Sequence, residues 1–330
     1  MRCAVIGGGA WGTALAHVLG FNGHTVSLWA REDDVVASVN ETRENHRFLR
    51  GVCIHERVTA TGDMHEAVRG AGLVTYAAPS HALRSVAESG ADAVAADAVL
   101  VVASKGIERE SLAIMSDVVD QCVGGRPVVA LSGPTFALEV ANGQPTAVVA
   151  ASTDSAAAGL VQRALSSETF RVYTHDDVVG VELGGALKNV MAVATGIADG
   201  LGLGHNSRAA LITRGLAEMT RLGVALGAHR ATFAGLAGLG DLVLTCTGAL
   251  SRNRALGVEI GQGRTLDEAL AGKDTVAEGV LNTISARALA EREGVDMPIV
   301  WAVHRILFEA QQPRRAISEL MTRELRAERD

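Results

Sequence analysis

The sequence is poor in aromatic residues, in charged residues and in net positive charge. Only 3% of its 330 residues are aromatic and 20% are charged, whereas 48% are hydrophobic. This much apolar material excludes a disordered chain. Lysine and arginine together number 30 against 37 acidic residues, which gives a net charge of -7. Binding to the phosphates of a nucleic acid requires the opposite charge balance, so we expect a globular protein that does not bind nucleic acid.

Cysteine is scarce as well. The four cysteines are Cys3, Cys53, Cys122 and Cys246. They lie far apart, without a C-x-x-C pair and without a histidine at zinc-finger spacing. This pattern excludes a disulfide framework and a structural zinc site, and it predicts reduced thiols in a cytoplasmic protein with no bound metal.

Long hydrophobic runs are missing too. No run of about 18 apolar residues is free of charge or glycine, so we expect no insertion into a membrane. The first residues imitate a signal peptide, because Arg2 precedes an apolar run. Three consecutive glycines, residues 7–9, interrupt that run, and an amphipathic helix containing His17 follows them. We therefore reject a signal peptide.

What the chain does contain is enough residues for about two domains. In residues 1–177, short β-branched runs alternate with helical patterns, which predicts a parallel sheet covered by helices on both faces. The predicted strands are residues 2–6, 25–29, 58–61, 73–77, 99–103, 128–131, 146–151 and 170–174. Residues 178–330 contain no convincing strand and predict an all-helical domain. Its clearest helices are residues 206–226, 276–293 and 298–310.

Gly7, Gly9 and Gly12 form a G-x-G-x-x-G motif between the first predicted strand and the first predicted helix. In this position the glycines allow a tight turn and let a pyrophosphate approach the N–H groups of the helix. A glycine-rich turn without a ligand is the alternative, but the order strand, turn, helix favours a dinucleotide site. We therefore expect a Rossmann-like, doubly wound α/β domain that binds NAD or NADP, followed by the all-helical domain.

The residue that contacts the adenosine ribose is expected at the end of the second strand, about 20 residues beyond the glycines. Arg31 occupies that position and Glu32 follows it. A guanidinium there can stack on adenine and pair with a 2′-phosphate, which favours NADP, whereas Glu32 favours NAD. Both cofactors remain open.

Lys188 is the only charge in the interior of a predicted helix, residues 181–195. Its neighbours on the same helix face are mostly small: Gly184, Gly185, Met191, Ala192 and Thr195. Small neighbours leave room for a ligand. A lysine removed from water has its pKa lowered from about 10.4 towards the range of a general base. The alternative is a lysine whose stem covers apolar surface while its amine reaches solvent.

Further segments suit a small phosphorylated substrate. Asp241, in a glycine-rich turn, either caps a helix or orients a catalytic cation, and the sequence favours capping. The turn 251–254 reads Ser-Arg-Asn-Arg, whose hydroxyl, guanidinium and amide donors suit a phosphate monoester, with a solvated basic turn as the alternative. Residues 104–106 and 132–135 follow predicted strands at the sheet edge where open α/β sheets bind ligands.

These segments together resemble a known family, the NAD(P)-dependent glycerol-3-phosphate dehydrogenases. The motifs that carry the resemblance run in order across nearly the whole chain: GGGAWGTALA, APSHALR, SKGIE, LSGPTFALEVANGQPTAV, ELGGALKNVMA, NSRAALITRGLAEM, GLGDLVLTCTGALSRNR and VAEG. The resemblance implies an oxidoreductase that interconverts sn-glycerol 3-phosphate and dihydroxyacetone phosphate at C2, with NAD or NADP. It also implies that the reduction supplies precursors for phospholipid synthesis.

The resemblance further implies individual roles, with Lys188 as the proton acceptor. The implied substrate-binding residues are Lys105, Gly133, Thr135, Lys188, Asp241, Ser251, Arg252 and Asn253. The cofactor-binding residues are Gly7, Gly9, Ala10, Trp11, Gly12, Arg31, Lys105, Ala137, Arg252, Val276 and Glu278. Ala10 stands where the family often has serine, and Phe-Leu-Arg-Gly at 48–51 replaces a usual Tyr-Leu-Pro-Gly. From the size of the helical half we expect a homodimer.

Two other functions compete with this interpretation. A β-hydroxyacid dehydrogenase combines the same two domains with a catalytic lysine, but its carboxylate substrate needs one arginine fork rather than the whole Ser-Arg-Asn set. A regulator could bind NAD(P) without turning it over. Lys188 and Asp241 argue against such a sensor, because a sensor has no need of a desolvated base.

Overall fold

The computed structural model describes residues 1–272, 277–325 and 327–328. Eight strands form one sheet in the order β3-β2-β1-β4-β5-β6-β7-β8. They are β1 (Arg2–Ile6), β2 (Thr25–Trp29), β3 (Val58–Thr61), β4 (Leu73–Tyr76), β5 (Val99–Val102), β6 (Val128–Ser132), β7 (Thr146–Ala151) and β8 (Phe170–His175). Each lies where the sequence predicts a strand. The strand order reverses between β1 and β4, so the predicted doubly wound α/β class is confirmed.

Helices cover both faces of this sheet. One face packs against α1 (Ala10–Phe21) and α2 (Asp33–Thr42), and the opposite face packs against α3 (Met64–Val68), α4 (Leu83–Glu88) and α5 (Met115–Val123). The first face also carries α6 (Ala137–Ala141) and α7 (Ser155–Leu165). Within β1, Cys3 and Val5 enter the first core while Ala4 and Ile6 enter the second, because successive side chains of a strand point to opposite faces.

The expectation of a wholly parallel sheet is wrong at one position. Strands β1 to β6 pair in parallel, and so do β7 and β8, but β6 and β7 pair antiparallel. The only helix between β6 and β7 is α6, which has five residues and is therefore about 8 Å long. A strand of that residue count is about 17 Å long. The helix α6 is too short to return the chain to the opposite edge, so β7 starts from the edge where β6 ends.

The regular secondary structure of the second half is helical throughout its described residues. Its helices are α8 (Val178–Gly200), α9 (His205–Ala225), α10 (Asp241–Thr247), α11 (Arg252–Gly261), α12 (Leu266–Leu270), α13 (Glu278–Glu293), α14 (Pro298–Phe308) and α15 (Pro313–Met321). Between 178 and 328 the described residues contain no strand, as the sequence predicts. The predicted helix 276–293 corresponds to α13, and its predicted first residue, Val276, lies outside the described residues. The predicted boundary at 177/178 falls in the short link between β8 and α8.

The axis of the second half is α8, which is buried continuously from Gly180 to Ala198. The helices α9, α10, α11, α13 and α14 pack around it. Glycines bring α8 and α11 into backbone contact, since a Cβ on Gly196 would clash with the carbonyl of Arg254 and a Cβ on Gly257 with that of Val193. Among the described helices, α8 alone has the length and apolarity of a membrane span, but 83% of that stretch is buried inside the molecule. We therefore assign it to the core.

Candidate active site

The carboxyl edge of the sheet faces α8. The loops after β5 and β6 carry Lys105 and Gly133, and the Lys105 Nζ donates to the carbonyl oxygen of Gly133 at 3.0 Å. On the α8 side, a Cβ on Gly185 would lie 2.7 Å from the Oγ of Ser132 and 3.4 Å from the stem of Lys105. The glycine therefore lets the helix approach the sheet edge closely enough for residues of both halves to form one site.

Two lysines from different halves of the chain share one buried carboxylate. The Nζ of Lys188 donates to Asp241 Oδ1, and the Nζ of Lys105 donates to Asp241 Oδ2 at 2.7 Å. Asp241 is fully buried and Lys188 is 7% exposed. With both amines protonated the cluster carries one net positive charge, so it favours an anionic ligand.

The protonation of Lys188 responds to this environment. Burial lowers the pKa of Lys188 to about 8, with the nearby charge of Lys105 acting in the same direction and Asp241 opposing it. The second hydrogen bond of the amine goes to Thr245 Oγ1 at 2.9 Å. An amine with this pKa can donate or accept a proton near neutral pH. The geometry thus supports the predicted role of Lys188 and disfavours an amine that reaches out to solvent.

The expectation that Asp241 caps a helix is wrong. A π-helical turn, Leu236–Gly240, runs directly into α10, and the residue at the N-cap position is Gly240. Asp241 is the first residue of α10, and its side chain makes no capping hydrogen bond. Its carboxylate points to the two lysines instead, which is the alternative role of orienting a cation.

In the turn 251–254, three of the four residues that could bind a phosphate make their polar contacts within the fold instead. Ser251 caps α11 by accepting from the N–H of Arg254, and α11 begins at Arg252. The amide of Asn253 donates to Asn189 Oδ1 at 2.9 Å. The guanidinium of Arg254 pairs with Asp199 at 2.7 Å. Within the part of the chain that the structure describes, Arg252 is exposed and makes no ion pair, so it is the member of the turn that is free to bind a phosphate.

The glycine-rich turn has the form that a dinucleotide requires. Gly7 has φ +127°, and a Cβ there would lie 2.8 Å from the backbone of Ala77. Gly12 packs on the carbonyl of Gly7, whereas a Cβ on Gly9 would meet nothing within 4 Å. The N-cap residue of α1 is Gly9, which has no side chain to accept a hydrogen bond from the first N–H groups of the helix. The indole nitrogen of Trp11 is buried without a partner among the described residues. These free donors beside an open backbone fit a bound pyrophosphate.

The remaining predicted cofactor residues are more dispersed. Arg31 pairs with Glu32 at 2.8 Å, and its side chain is 81% exposed. Ala10 begins α1, and Ala137 begins α6, which packs on α1. Glu278 begins α13 and accepts a hydrogen bond from Ser80. Val276 lies outside the described residues.

The structure therefore unites Lys105, Gly133, Lys188 and Asp241 by direct hydrogen bonds. Thr135 is joined to this group through the carbonyl of Gly133, to which its Oγ1 donates at 3.3 Å. Sequence reasoning missed Thr245 and Asn189. The spacing of four residues from Asp241 along one helix was a signal for Thr245. For Asn189 its place next to Lys188 was the only signal.

A doubly wound domain with an open glycine turn, joined to a helical domain that supplies a buried lysine and carboxylate, defines a nicotinamide-dependent dehydrogenase. The family description "NAD-dependent glycerol-3-phosphate dehydrogenase N-terminus" matches residues 2–158, and the description of the corresponding C-terminus matches residues 177–318. The chain belongs to the NAD-dependent glycerol-3-phosphate dehydrogenase family, as its sequence motifs imply.

Individual relatives agree with the family. The chain is 53% identical to the glycerol-3-phosphate dehydrogenase [NAD(P)+] of Citrifermentans bemidjiense, with 99% of this chain and 98% of that protein covered. It is 54% identical to the protein of the same name from Trichlorobacter lovleyi, with 99% of each covered. Among solved structures, glycerol-3-phosphate dehydrogenase from Coxiella burnetii superposes with a TM-score of 0.94 at 41% identity, covering 98% of this chain and 99% of that one.

Proposed function

We propose that this protein interconverts sn-glycerol 3-phosphate and dihydroxyacetone phosphate by hydride transfer with NAD(P). The observation that carries the proposal is the buried cluster in which Asp241 holds the amines of Lys188 and Lys105 at the edge of a dinucleotide-binding sheet. Relatives that are more than half identical over the whole chain bear the name of this activity.

Lys188 is the proton carrier of the proposed reaction. When bound, the nicotinamide cofactor supplies the hydride to C2 in reduction and accepts it in oxidation. In reduction the Lys188 ammonium gives its proton to the oxygen that becomes the C2 hydroxyl, and in oxidation the neutral amine takes that proton back. Asp241 and Thr245 accept hydrogen bonds from the amine and fix its direction.

The substrate phosphate binds at the start of α11 in this proposal. Arg252 is exposed there and supplies a guanidinium fork, which matches phosphate oxygens bidentately. The free N–H groups at the start of the same helix add positive potential. Ser251 and Asn253 flank Arg252, but their contacts to the fold are already made. We therefore assign most of the phosphate binding to Arg252.

The cofactor occupies the glycine turn and the sheet edge. Gly7, Gly9 and Gly12 with the start of α1 would hold the pyrophosphate, and the indole N–H of Trp11 would find its acceptor there. Arg31 would meet the adenosine end. The assignments of Ala10, Ala137, Val276 and Glu278 rest on the family motifs alone.

We further propose a cytoplasmic homodimer whose reduction reaction supplies glycerol 3-phosphate for phospholipid synthesis. The free state of all four cysteines supports the location. Exposed apolar side chains on the helical half, among them Val224, Val243 and Leu250, support association. Light scattering of the purified protein measures the oligomeric state.

The decisive experiment adds dihydroxyacetone phosphate to the protein and NADPH or NADH, and follows loss of the absorbance of the reduced nicotinamide. We expect turnover with the parent protein and a loss of about 10²–10⁴-fold in kcat for Lys188→Ala, with cofactor binding nearly intact. Turnover of a β-hydroxy acid in place of glycerol 3-phosphate would favour the β-hydroxyacid dehydrogenase. Cofactor binding without any turnover would favour the sensor.

A further inference from the structure

One contact joins the two halves beside the proposed cofactor site. Glu278, the first residue of α13, accepts from both the N–H and the hydroxyl of Ser80, at 3.2 Å and 2.5 Å. Ser80 opens a short 3₁₀ turn, Ser80–Ala82, soon after β4, and it is only 5% exposed. A serine of the sheet domain therefore holds both oxygens of a carboxylate that belongs to the helical domain.

On its own side, Ser80 is fixed to the cofactor turn. A Cβ on Gly106 would clash with Ser80, so the backbone next to Lys105 presses directly on this serine. The residues just before Ser80 touch the glycine motif, since a Cβ on Gly7 would lie 2.8 Å from Ala77 and 3.0 Å from Ala78. Ser80 therefore packs directly against the Lys105 loop, and the two residues shortly before it, Ala77 and Ala78, pack against the glycine turn.

On the other side, the first turn of α13 is fixed to the substrate turn and to the catalytic helix. The N–H of Gly279 donates to Asn253 Oδ1 at 2.9 Å, and the amide of Asn253 donates to Asn189 beside Lys188. One turn later, the amide of Asn282 donates to the carbonyl of Ala186 on α8 at 3.1 Å. Glu278 is therefore linked, through the adjacent Gly279 and its hydrogen bond to Asn253, to the proposed substrate site.

We propose that Ser80 is a positioning residue that couples cofactor binding to substrate binding through Glu278. The proposal rests on the cofactor and substrate sites proposed above. The contacts from the glycine turn through Ser80 and Glu278 to Asn253 form one connected series. A ligand that orders one end of this series lowers the entropy cost of ordering the other end. The coupling is reciprocal, because each ligand must change the affinity for the other by the same factor.

The test measures this factor directly. NADPH is titrated into the protein by fluorescence, without and with saturating glycerol 3-phosphate, a pair of reduced ligands that cannot react with one another. We expect the parent to bind NADPH at least about fivefold more tightly when glycerol 3-phosphate is present. Ser80→Ala removes the shorter of the two hydrogen bonds to the Glu278 carboxylate. The ratio of the NADPH affinities with and without glycerol 3-phosphate should therefore fall by about tenfold, or to one if the parent ratio is smaller than that. The kcat of this variant should stay within a few-fold of the parent value.

Ser85→Ala is the matched control, because Ser85 is exposed and its hydroxyl, among the described residues, donates only to the carbonyl of Ala82 in its own turn. It should retain the factor of the parent. A factor of one in the parent, or the parent's factor in Ser80→Ala, overturns the proposal even if the protein is an active dehydrogenase. Absence of turnover in the parent overturns the proposed function instead.

A second variant covers the case in which Ser80→Ala does not fold. Glu278→Gln keeps the shape of the side chain and one oxygen acceptor but removes the charge that strengthens both bonds. Its coupling factor should fall below that of the parent. An unchanged factor in Glu278→Gln overturns the proposal.

Discussion

At the scale of single residues, the carboxylate of Asp241 controls the proposed base. Its two oxygens hold Lys188 and Lys105, and its charge stabilises the protonated form of Lys188 against the effect of burial. The pKa of Lys188, lowered to about 8, is therefore a balance in which desolvation and the nearby charge of Lys105 lower it and Asp241 raises it. Changing the partner should shift that balance in a known direction.

The pH dependence follows from this balance. Reduction needs protonated Lys188, so its rate should fall as the pH rises through about 8, whereas oxidation needs the neutral amine and its rate should rise through the same value. Asp241→Asn removes the stabilising charge and should move both inflections to lower pH. The measurement is kcat/KM against pH in both directions, and inflections that do not move in Asp241→Asn contradict the assignment of Lys188.

The two arginines of the turn 251–254 should respond differently to substitution. Arg252→Ala should raise the KM for dihydroxyacetone phosphate by about one to two decades, because it removes a charge-assisted bond to the phosphate. Arg254 is bonded to Asp199, so Arg254→Ala should lower the melting temperature with a much smaller change in KM. Steady-state kinetics and thermal unfolding of both variants give the comparison. Equal rises in KM would mean that the turn attracts phosphate only by its general charge.

Arg31 bears on the choice of cofactor. The Arg31 side chain is 81% exposed, although that of Glu32 is only 19% exposed, so solvent screens the pair from the Arg31 side and the guanidinium can turn towards a 2′-phosphate at little cost. Arg31→Ala should weaken NADPH more than NADH, by about 1.5–3 kcal/mol. The ratio of kcat/KM for the two cofactors measures this, with Arg47→Ala, another surface arginine of the same domain, as control. An unchanged ratio would leave Arg31 only a stacking role on adenine.

At the scale of elements, the position of α8 depends on glycine. The contact between α8 and α11 has no room for side chains at Gly196 and Gly257, since each would clash with a carbonyl of the other helix. The start of α11 carries Arg252 and α8 carries Lys188. Close backbone packing therefore sets the distance between the proposed phosphate site and the proposed base.

A matched pair of substitutions tests this packing. Gly257→Ala should destabilise the protein by about 1–3 kcal/mol, because the new methyl group forces the helices apart. Gly159→Ala, in the middle of α7, meets only the flexible end of Arg163 and should stabilise by about 0.5–1 kcal/mol through the better helix propensity of alanine. Urea unfolding measures both values. A destabilisation that is equal in the two variants would contradict the packing argument.

At the scale of the whole molecule, a further carboxylate joins the halves besides those of Asp241 and Glu278. Glu182 on α8 accepts from the N–H of Ser116 at 3.0 Å, in the first turn of α5, and also from the Ser116 hydroxyl. Burial raises the pKa of Glu182 to about 7, with these hydrogen bonds opposing the shift. The contact across the two domains is therefore made by a carboxyl group that binds its proton more tightly in the folded protein.

The stability of the molecule should follow this proton. The contribution of Glu182 is fully present below its unfolded pKa of 4.5 and is lost as the pH rises through about 7. Relative to Glu182→Gln, the free energy of unfolding of the parent should fall across that interval, by at most about 1.4 kcal/mol per pH unit. Urea unfolding of both proteins at several pH values gives the difference. Parallel curves would mean that Glu182 does not change its proton affinity on folding.

The strands, the glycine turn and the helical nature of the second half can all be predicted from local sequence patterns. Each of these depends on residues close together in the chain: the alternation within β1, the spacing of Gly7, Gly9 and Gly12, and the apolar pattern around Lys188. Such patterns are set by local backbone geometry and by the burial of one face. The motifs that identify the family are local in the same sense.

Which side chains meet in the site depends instead on how the helices and strands pack. Asp241 finds Lys188 at a separation of 53 residues and Lys105 at 136, so no local pattern distinguishes a cap from a charge partner. No local pattern shows that the amide of Asn253 donates to Asn189, or that β7 runs antiparallel to β6. Contacts of this kind are fixed by how helices and strands pack, because a polar group buried by packing must take whichever partner the fold brings within reach.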